Sequence, residues 1–157
     1  MITVRDVTPG DSPILLEWRN DPVTRASSLS TAPVDEESHR RWLDRAITDP
    51  DRCLYIGEQD GEPIGTVRLD GQGGVAEISI TVAPAHRGRG LSLPLLLSGI
   101  EEYRRMAGSG VRIIARIRAE NAISRALFAS AGFREESIAD DVLLLTWTDA
   151  VSEEAPS

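Results

Sequence analysis

Cysteine and histidine are scarce in this chain of 157 residues, which has one cysteine and two histidines. A disulfide needs two cysteines, so none can form within the chain. Zinc and similar metals are held mainly by cysteine and histidine, so we expect no bound metal. We interpret the lone Cys53 as a structural thiol rather than an acyl-carrying nucleophile, because no activating group lies near it in the sequence.

Positive charge and long apolar runs are also lacking. Acidic residues outnumber basic ones by 25 to 17, which gives a formal net charge of −8. A nucleic-acid partner requires a basic surface, so none is expected. No apolar run approaches the length of a membrane span, and the N-terminus lacks the pattern of a signal peptide. We therefore expect a cytoplasmic protein with no membrane partner.

The length and composition fit one domain with its own hydrophobic core. Hydrophobic residues make up 41% of the chain and charged residues 27%, as in ordinary globular domains. No internal repeat is evident. We predict a single domain over residues 1–149 and a flexible acidic tail over residues 150–157.

The pattern of apolar residues predicts a mixed α/β fold. Asp60-Gly61 and the DGQGG run are turn signals, so the strands around them are expected to form an antiparallel meander. The polar segment 24–33 is predicted to be a loop. The predicted strands cover residues 2–8, 52–59, 63–70, 75–82, 111–118, 133–137 and 141–149, and the predicted helices cover residues 10–21, 35–50, 90–107 and 121–132.

The segment HRGRGLS, residues 86–92, places two arginines and two glycines between a predicted strand and a predicted helix. Glycine allows a ligand to approach the backbone, and a helix N-terminus offers unpaired N–H groups to an anion. The segment is not a P-loop or a dinucleotide loop, because Gly90 is followed by leucine and residue 93 is also leucine. It indicates a phosphate-binding loop, with a tight turn as the alternative.

Two segments together resemble the GNAT superfamily of N-acetyltransferases. One is VAEISITVAPAHRGRGLS, residues 75–92, which matches the family signature Arg/Gln-x-x-Gly-x-Gly/Ala except for Ser92 at the last place. The other is ARIRAENAISRALFASAGF, residues 115–133. The resemblance implies an α/β fold with a mixed, mostly antiparallel sheet of six to seven strands. Helices would cover both faces of that sheet, and its two central strands would splay apart.

The resemblance also implies that acetyl-CoA is the co-substrate, with its pyrophosphate in the glycine loop. Its pantetheine arm would pair with the first splayed strand. For Asn121 a plain helix cap is an open alternative. The implied cofactor contacts are Ile80, Val82, Arg87, Gly88, Arg89, Gly90, Leu91, Ser92, Asn121, Ser124 and Phe128.

The implied chemistry is direct transfer of the acetyl group to an amine, which must first lose a proton. Glu77 is the candidate base, because strand alternation places it on one face with Ser79 and Thr81. A solvated surface carboxylate is the alternative. By resemblance, the N–H of Val82 stabilises the oxyanion.

The family often uses a tyrosine to protonate the leaving thiolate, and Phe128 stands in its place here. Ser124 or a water is the replacement donor that we expect. Free thiolate can also leave, because a thiol pKa is near 8.5.

The acceptor is expected to bind the N-terminal half. Residues 17–25, EWRNDPVTR, and 39–43, HRRWL, resemble a bacterial subgroup of PseH-type enzymes that acetylate nucleotide-linked amino sugars. Asn20 also fits a turn, and Trp42 also fits a core position. The implied substrate contacts are Arg19, Asn20 and Arg25 at the nucleotide diphosphate, His39 and Trp42 around the sugar, and Ser79 on the strand.

The leading hypothesis is therefore an acetyl-CoA-dependent N-acetyltransferase acting on a small-molecule amine, as a monomer or a homodimer. One alternative acceptor is a protein N-terminus, an amino acid or an antibiotic amine. A different class is a non-catalytic sensor that binds acyl-CoA, because the family tyrosine is missing. A hydrolase finds no support, since the sequence has no nucleophile elbow.

Overall fold

A computed structural model describes residues 2–27, 32–108 and 110–148. The predicted tail, residues 150–157, lies outside the described residues. Seven strands form one sheet in the order β1-β2-β3-β4-β5-β7-β6. They are β1 Ile2–Asp6, β2 Arg52–Gln59, β3 Glu62–Gln72, β4 Val75–Val82, β5 Arg112–Arg118, β6 Arg134–Ala139 and β7 Val142–Thr148. All neighbouring pairs are antiparallel except β4 with β5, which confirms the predicted mixed sheet.

Five helices accompany the sheet in the described parts of the chain. The Asp35 side chain caps the third helix by accepting a hydrogen bond of 2.7 Å from the N–H of Ser38. None of these helices is long and apolar enough to cross a membrane. The helices are α1 Ser12–Asn20, α2 Pro22–Ser27, α3 Glu36–Thr48, α4 Ser92–Ala107 and α5 Ala122–Ser130.

The short helix α2 corrects the predicted loop over residues 24–33. Pro22 fits the first turn of a helix because its missing N–H is not needed there. The Asp21 carboxylate accepts hydrogen bonds of 3.1 Å from the N–H groups of both Val23 and Thr24. These signals were present in the sequence, but the following run of serine and threonine obscured them. Residues 28–31 of the predicted loop lie outside the described part.

Each face of the sheet carries its own hydrophobic core. On one face α4 and α5 pack against the middle strands, with Leu95 and Ile100 of α4 buried there. On the other face α1 and α3 cover β2, and Trp18 and Leu43 are buried. Helices therefore lie on both faces, as predicted, and α1 and α3 come to lie beside the sheet face that bears polar side chains.

That polar face runs across β3 and β4. The register pairs Thr66 with Thr81 and Arg68 with Ser79. One step further along, Asp70 pairs with Glu77 in the same register. Directly paired residues in a sheet point to the same face, so these side chains form one continuous polar surface.

The two central strands, β4 and β5, diverge along their length. They pair in parallel only from Val75 opposite Arg112 to Glu77 opposite Ile114. Beyond that point β4 continues to Val82 and β5 to Arg118 without pairing with each other. A wedge-shaped gap therefore opens between them, which confirms the predicted splay.

Candidate active site

A cavity of about 400 Å³ lies between α1, α3 and the polar face of β3 and β4. This volume falls in the usual range for small-molecule sites. The cavity has an aromatic and aliphatic wall on the helix side and hydroxyl groups on the sheet side. Its lining residues are Leu15, Trp18, Arg19, Val34, Ser38, His39, Trp42, Leu54, Thr66, Arg68, Ser79 and Thr81.

Four of the six predicted substrate residues meet in this cavity: Arg19, His39, Trp42 and Ser79. Arg25 is not among the lining residues. Asn20 is not one of them either, and its side-chain amide is occupied at both ends. Its Nδ2 donates to the Val34 carbonyl at 2.7 Å, and its Oδ1 accepts from the Val34 N–H at 2.8 Å. These bonds make Asn20 a brace between α1 and Val34, just before α3, and its contact with a substrate stays a prediction.

Arg68 of β3 is a cavity residue that the sequence analysis missed. Its guanidinium carbon lies 5.5 Å from the centre of the Trp42 ring, within the range of a cation–π contact. Its Nε lies 3.2 Å from a carboxylate oxygen of Asp70. The missed signal was the alternation of β3, which places Thr66, Arg68 and Asp70 on one face. Matching that face to β4 requires the hairpin register, which the sequence does not reveal.

His39 is 5% exposed, and its ring forms one wall of the cavity. Its Nδ1 lies 3.3 Å from the hydroxyl oxygen of Ser12, and its ring centre lies 5.6 Å from that of Trp42. Burial, and after it the positive charge of Arg19, lower the pKa of His39 below its ordinary value. The imidazole is therefore neutral at neutral pH.

Glu77, the predicted base, shares the polar face with Ser79 but does not line the cavity. Its carboxylate forms a close ion pair with Arg116 of β5, and its side chain is 37% exposed. Five residues separate Glu77 from Val82 on β4, a distance of about 17 Å in an extended strand. A proton moving between these positions would need a chain of water molecules.

The backbone of β4 presents hydrogen-bonding groups to the gap beside β5. The N–H of Ala83, just past β4, donates to the Ile64 carbonyl of β3 at 2.8 Å. Alternate residues of an antiparallel strand point their backbone groups to opposite sides. The N–H and C=O groups of Ile80 and Val82 therefore point away from β3. Since pairing with β5 ends at Glu77, these groups face the gap.

The glycine loop follows β4 and leads into α4. Gly88 and Gly90 have φ angles of 76° and 71°, a conformation that favours glycine. A Cβ added to either glycine would meet nothing within 4 Å, so open space lies beside this backbone. The loop ends at Leu91, which caps α4, and Ser92 is the first residue of the helix.

The two arginines of the loop behave differently. Arg87 lies 2.7 Å from the Asp21 carboxylate and donates a hydrogen bond of 2.7 Å to the hydroxyl of Thr24. It thus ties the loop to the start of α2, and this contact is the main reason that the pKa of Asp21 is lowered. Arg89 is exposed and forms no ion pair with the described residues. Of the two, Arg89 is the better placed to reach an anion.

The predicted residues of α5 occupy the far side of the gap. The side chain of Asn121 caps the helix by accepting from the N–H of Ser124 at 3.1 Å. Phe128 is 2% exposed and packs edge-on against Phe133, with the ring centres 5.0 Å apart. Its ring belongs to the core and leaves little surface for a ligand. The contacts of Asn121 and Ser124 with a cofactor stay predictions.

Cys53 faces the core on the other side of the sheet from the cavity. Burial raises the pKa of its thiol, so the reactive thiolate is disfavoured. Across residues 2–27, 32–108 and 110–148, no three side chains of histidine, cysteine, aspartate or glutamate come together as a metal site.

One continuous binding surface, here called the track, runs along the gap between the splayed strands. It comprises the unpaired backbone groups in the gap and the glycine loop at the helix N-terminus. A comparison with family models identifies this arrangement, because residues 2–134 match the model of the GNAT acetyltransferase domain. The chain belongs to the GNAT acetyltransferase family. As a member it is an N-acetyltransferase that uses acetyl-CoA as its co-substrate, and the track has the polar groups and the room that this molecule needs.

The relatives of this GNAT enzyme act on different amines. An L-methionine sulfoximine/L-methionine sulfone acetyltransferase of Pseudomonas paraeruginosa PA7 is 29% identical over 139 residues, which cover 83% of this chain and 79% of the relative. The spermidine N-acetyltransferase of Vibrio cholerae, solved with CoA and spermine, has a TM-score of 0.85 at 20% identity and covers 95% of this chain and 96% of its own.

A third similar structure is the ribosomal-protein-alanine N-acetyltransferase of Brucella melitensis. Its TM-score is 0.77 at 28% identity, over 92% of this chain and 98% of its own. The three relatives share the GNAT fold, while their names give three different acceptors. The acceptor of this GNAT enzyme must therefore be inferred from its own cavity.

Proposed function

We propose that this GNAT enzyme acetylates the amino group of a small molecule that also carries a negatively charged group. The observation that carries this proposal is the charge of the cavity. Arg19 and Arg68 both line it, and no aspartate or glutamate appears among its described lining residues. A guanidinium binds a carboxylate or phosphate through charge-assisted hydrogen bonds, often two at once.

The same charges disfavour a polycationic acceptor. An ammonium group beside two guanidinium groups is repelled, and within a cavity that repulsion is screened less than in water. A polyamine or an aminoglycoside carries several such groups and needs carboxylates to receive them. The cavity therefore argues against the acceptor named for the structurally similar enzyme of Vibrio cholerae.

Two acceptor types fit this description. One is an α-amino acid, as for the Pseudomonas relative named for L-methionine sulfoximine and L-methionine sulfone. The other is a nucleotide-linked amino sugar, whose two phosphates are negative and whose flat base suits the Trp42 ring. Both types bring an anion and an apolar body, which match the two arginines and the aromatic wall of the cavity.

The two substrates would meet at the end of β4. The acceptor lies in the cavity against Thr81, and the acetyl carbonyl lies in the gap against the N–H of Val82, the next residue. The pyrophosphate lies at the loop around Gly88 and Gly90, with Arg89 beside it. In this arrangement β4 separates the two substrates except at its end, where the amine reaches the thioester.

Release of free thiol from acetyl-CoA, measured across a panel of amines, tests the proposal. The acidic set holds α-amino acids, methionine sulfone and nucleotide-linked amino sugars, and the cationic set holds spermidine, an aminoglycoside and a basic N-terminal peptide. We expect turnover in the acidic set and little in the cationic set. Turnover confined to the peptide or the cationic set contradicts the proposal.

The panel also tests the other class. A sensor that binds acyl-CoA without catalysis would show tight acetyl-CoA binding by calorimetry and no thiol release with any amine. Detection of the N-acetylated product by mass spectrometry excludes a sensor. The cytoplasmic location and the monomeric or homodimeric state stay predictions.

A further inference from the structure

We propose that His39 is the group that accepts the proton from the acceptor amine before it attacks the thioester. The proposal rests on the proposed function, because it places the amine in the cavity that His39 lines. It replaces Glu77, which the sequence analysis selected, in that role.

Among the described side chains of the cavity, His39 is the one suited to accept a proton. Arginine and tryptophan only donate hydrogen bonds at neutral pH, and serine and threonine hydroxyls are very weak bases. The remaining polar side chain is the imidazole of His39, and the rest of the lining is apolar. Histidine is also the side chain most often used for this task, because it exchanges protons near neutral pH.

The position of the His39 ring suits this role. Its Nδ1 is 3.3 Å from the Ser12 hydroxyl oxygen, and Ser12 is itself buried. When Nδ1–H donates to that oxygen, Nε2 carries the lone pair. Nε2 forms no hydrogen bond with any described residue and is not enclosed, so it is the nitrogen that the cavity exposes. The Ser12 hydroxyl can accept a hydrogen bond, so this contact is compatible with the tautomer in which His39 accepts a proton at Nε2.

Positive charge surrounds His39. Arg19 faces it from α1, and Arg68 of β3 lies 5.5 Å from the same Trp42 ring that packs against His39. Asp11, in the turn before α1, is held by Arg5 at 2.9 Å, and the Asp70 carboxylate lies 3.2 Å from Nε of Arg68. Burial, and after it the charge of Arg19, lower the pKa of His39 and so keep its imidazole unprotonated. The positive charges also favour the neutral form of a bound amine, which makes it easier for the imidazole to take a proton from that amine.

His39 also lines the cavity that reaches the place proposed for the reacting carbon. The cavity extends to Thr81, next to Val82 at the open end of the gap. Glu77 lies outside the cavity, is neutralised by Arg116 and is about 17 Å from Val82 along the strand. A base in the cavity wall therefore reaches the amine without the chain of waters that Glu77 would require.

The proposed proton transfers balance as follows. The ammonium form of the acceptor gives one proton to His39 Nε2 and becomes an amine. Its nitrogen lone pair forms a C–N bond with the acetyl carbon, while the C–S bond breaks and its electron pair goes to sulfur. The second proton leaves the nitrogen for that sulfur, which yields free thiol. His39 then returns the first proton to solvent.

The test begins with the unmodified, tag-free enzyme. His39 and His86 are the two histidines of the chain, so an NMR titration of imidazole signals, assigned with His86→Gln, gives the pKa of each. We expect kcat/KM for the amine to fall below the pKa measured for His39. Two amines of different pKa separate the enzyme's ionisation from the substrate's. The proposal is overturned if the midpoint of the acidic limb of the pH profile shifts with the pKa of the amine. It is also overturned if that midpoint differs from the pKa measured for His39.

The matched variants are His39→Gln and His86→Gln. His86 is equally buried but lies outside the cavity, with Nε2 3.1 Å from a Glu62 carboxylate oxygen. We expect His39→Gln to lower kcat by about 100-fold with little change in KM for acetyl-CoA, and to abolish the acidic limb. His86→Gln should retain that limb.

A third variant, Glu77→Gln, distinguishes the two candidate bases. If Glu77→Gln abolishes the acidic limb while His39→Gln keeps it, or if His39→Gln stays within about threefold of the unmodified enzyme, the proposal is wrong. If no amine releases thiol at all, the proposed function fails as well. Because the NMR comparison uses the unmodified enzyme, it decides the question even where His39→Gln folds poorly.

Discussion

Arg68 and Trp42 come from different elements and meet over the cavity, so the guanidinium is held in place by the ring beneath it. Its Nε lies 3.2 Å from a carboxylate oxygen of Asp70 but forms no hydrogen bond with a described residue. Such a fixed guanidinium loses little rotamer freedom when it binds an anion. At this scale Arg68 is the residue that we expect to select the acceptor.

Replacing Arg68 by glutamine should raise KM for an acidic amine by about tenfold to 100-fold and leave kcat nearly unchanged. A hydrogen bond to a charged group contributes about 1.5–3 kcal/mol, and this one is present in both the ground state and the transition state. Steady-state kinetics measures KM and kcat separately and so checks this expectation. Arg45→Gln on the exposed side of α3 is the control. An equal rise in KM for an amine without a negative charge would contradict the role of Arg68 in binding the anionic group.

At the scale of elements, the loop between β4 and α4 and the packing of α4 on the sheet both depend on glycine. Gly88 needs a positive φ, with open space beside it. Gly99 has a different requirement, because an added Cβ would lie 2.7 Å from Cγ1 of Val67. The first glycine shapes a binding surface, and the second lets helix and sheet approach closely.

Gly88→Ala should weaken acetyl-CoA binding, because the new methyl group enters the space that we assign to the pyrophosphate. Gly61 in the β2–β3 turn is the matched control, with a φ of 81° and also nothing within 4 Å. Both substitutions should cost about 1 kcal/mol of stability from the strained backbone. Titration calorimetry gives the affinity of each variant for acetyl-CoA, and we expect a loss of affinity in the Gly88 variant alone. Equal affinity in both variants would count against the loop as the pyrophosphate site.

Gly99→Ala should destabilise the protein by about 1–3 kcal/mol, because α4 must move away from β3. Adding Val67→Ala removes Cγ1 and Cγ2, two of the three atoms nearest the new methyl group, and keeps Cβ at 3.0 Å. Urea unfolding of the two single variants and the double variant forms a double-mutant cycle. We expect the double variant to lose less than the sum of the single losses. Full additivity would show that the close contact does not limit the packing.

Most elements could be predicted because their signals are local. The cap at Asp35, the glycine loop and the alternation of β4 are all visible in a few consecutive residues. Helix α2 was missed because the first helix was predicted to end at residue 21 and residues 24–33 were predicted to be a loop. Splayed strands were expected by resemblance rather than derived, because the divergence after Glu77 depends on tertiary packing.

At the scale of the whole molecule, the cavity depends on contacts that no local pattern contains. The sequence analysis found residues of α1, α3 and β4, but Arg68 joins them only through the register of β3 with β4. Conversely, Asn20 lies within the expected motif, yet its side chain bonds to Val34 and does not line the cavity. The composition of a site is thus set by topology as much as by motif.

Stability should depend on pH through His39. Because its pKa is lowered in the folded state, the unfolded chain binds a proton first as the pH falls below about 6.5. This histidine's contribution is therefore fully present above that pH and is lost as the pH falls toward the folded-state pKa. In thermal melts from pH 8 to pH 5, the melting temperature of His39→Gln should fall less than that of the unmodified enzyme. An equal fall of the melting temperature with pH in the variant and the unmodified enzyme would contradict this.

The central claim, a small acidic amine as acceptor, is tested most directly by competition in one tube. Each α-amino acid is mixed with its own carboxamide. Each nucleotide-linked amino sugar is mixed with the same amino sugar lacking the nucleotide and its phosphates. Acetyl-CoA is the limiting reagent in every mixture. Mass spectrometry of the N-acetylated products gives ratios of kcat/KM. We predict that the charged member of at least one pair is preferred by tenfold or more. Preference for the uncharged members throughout would contradict the claim.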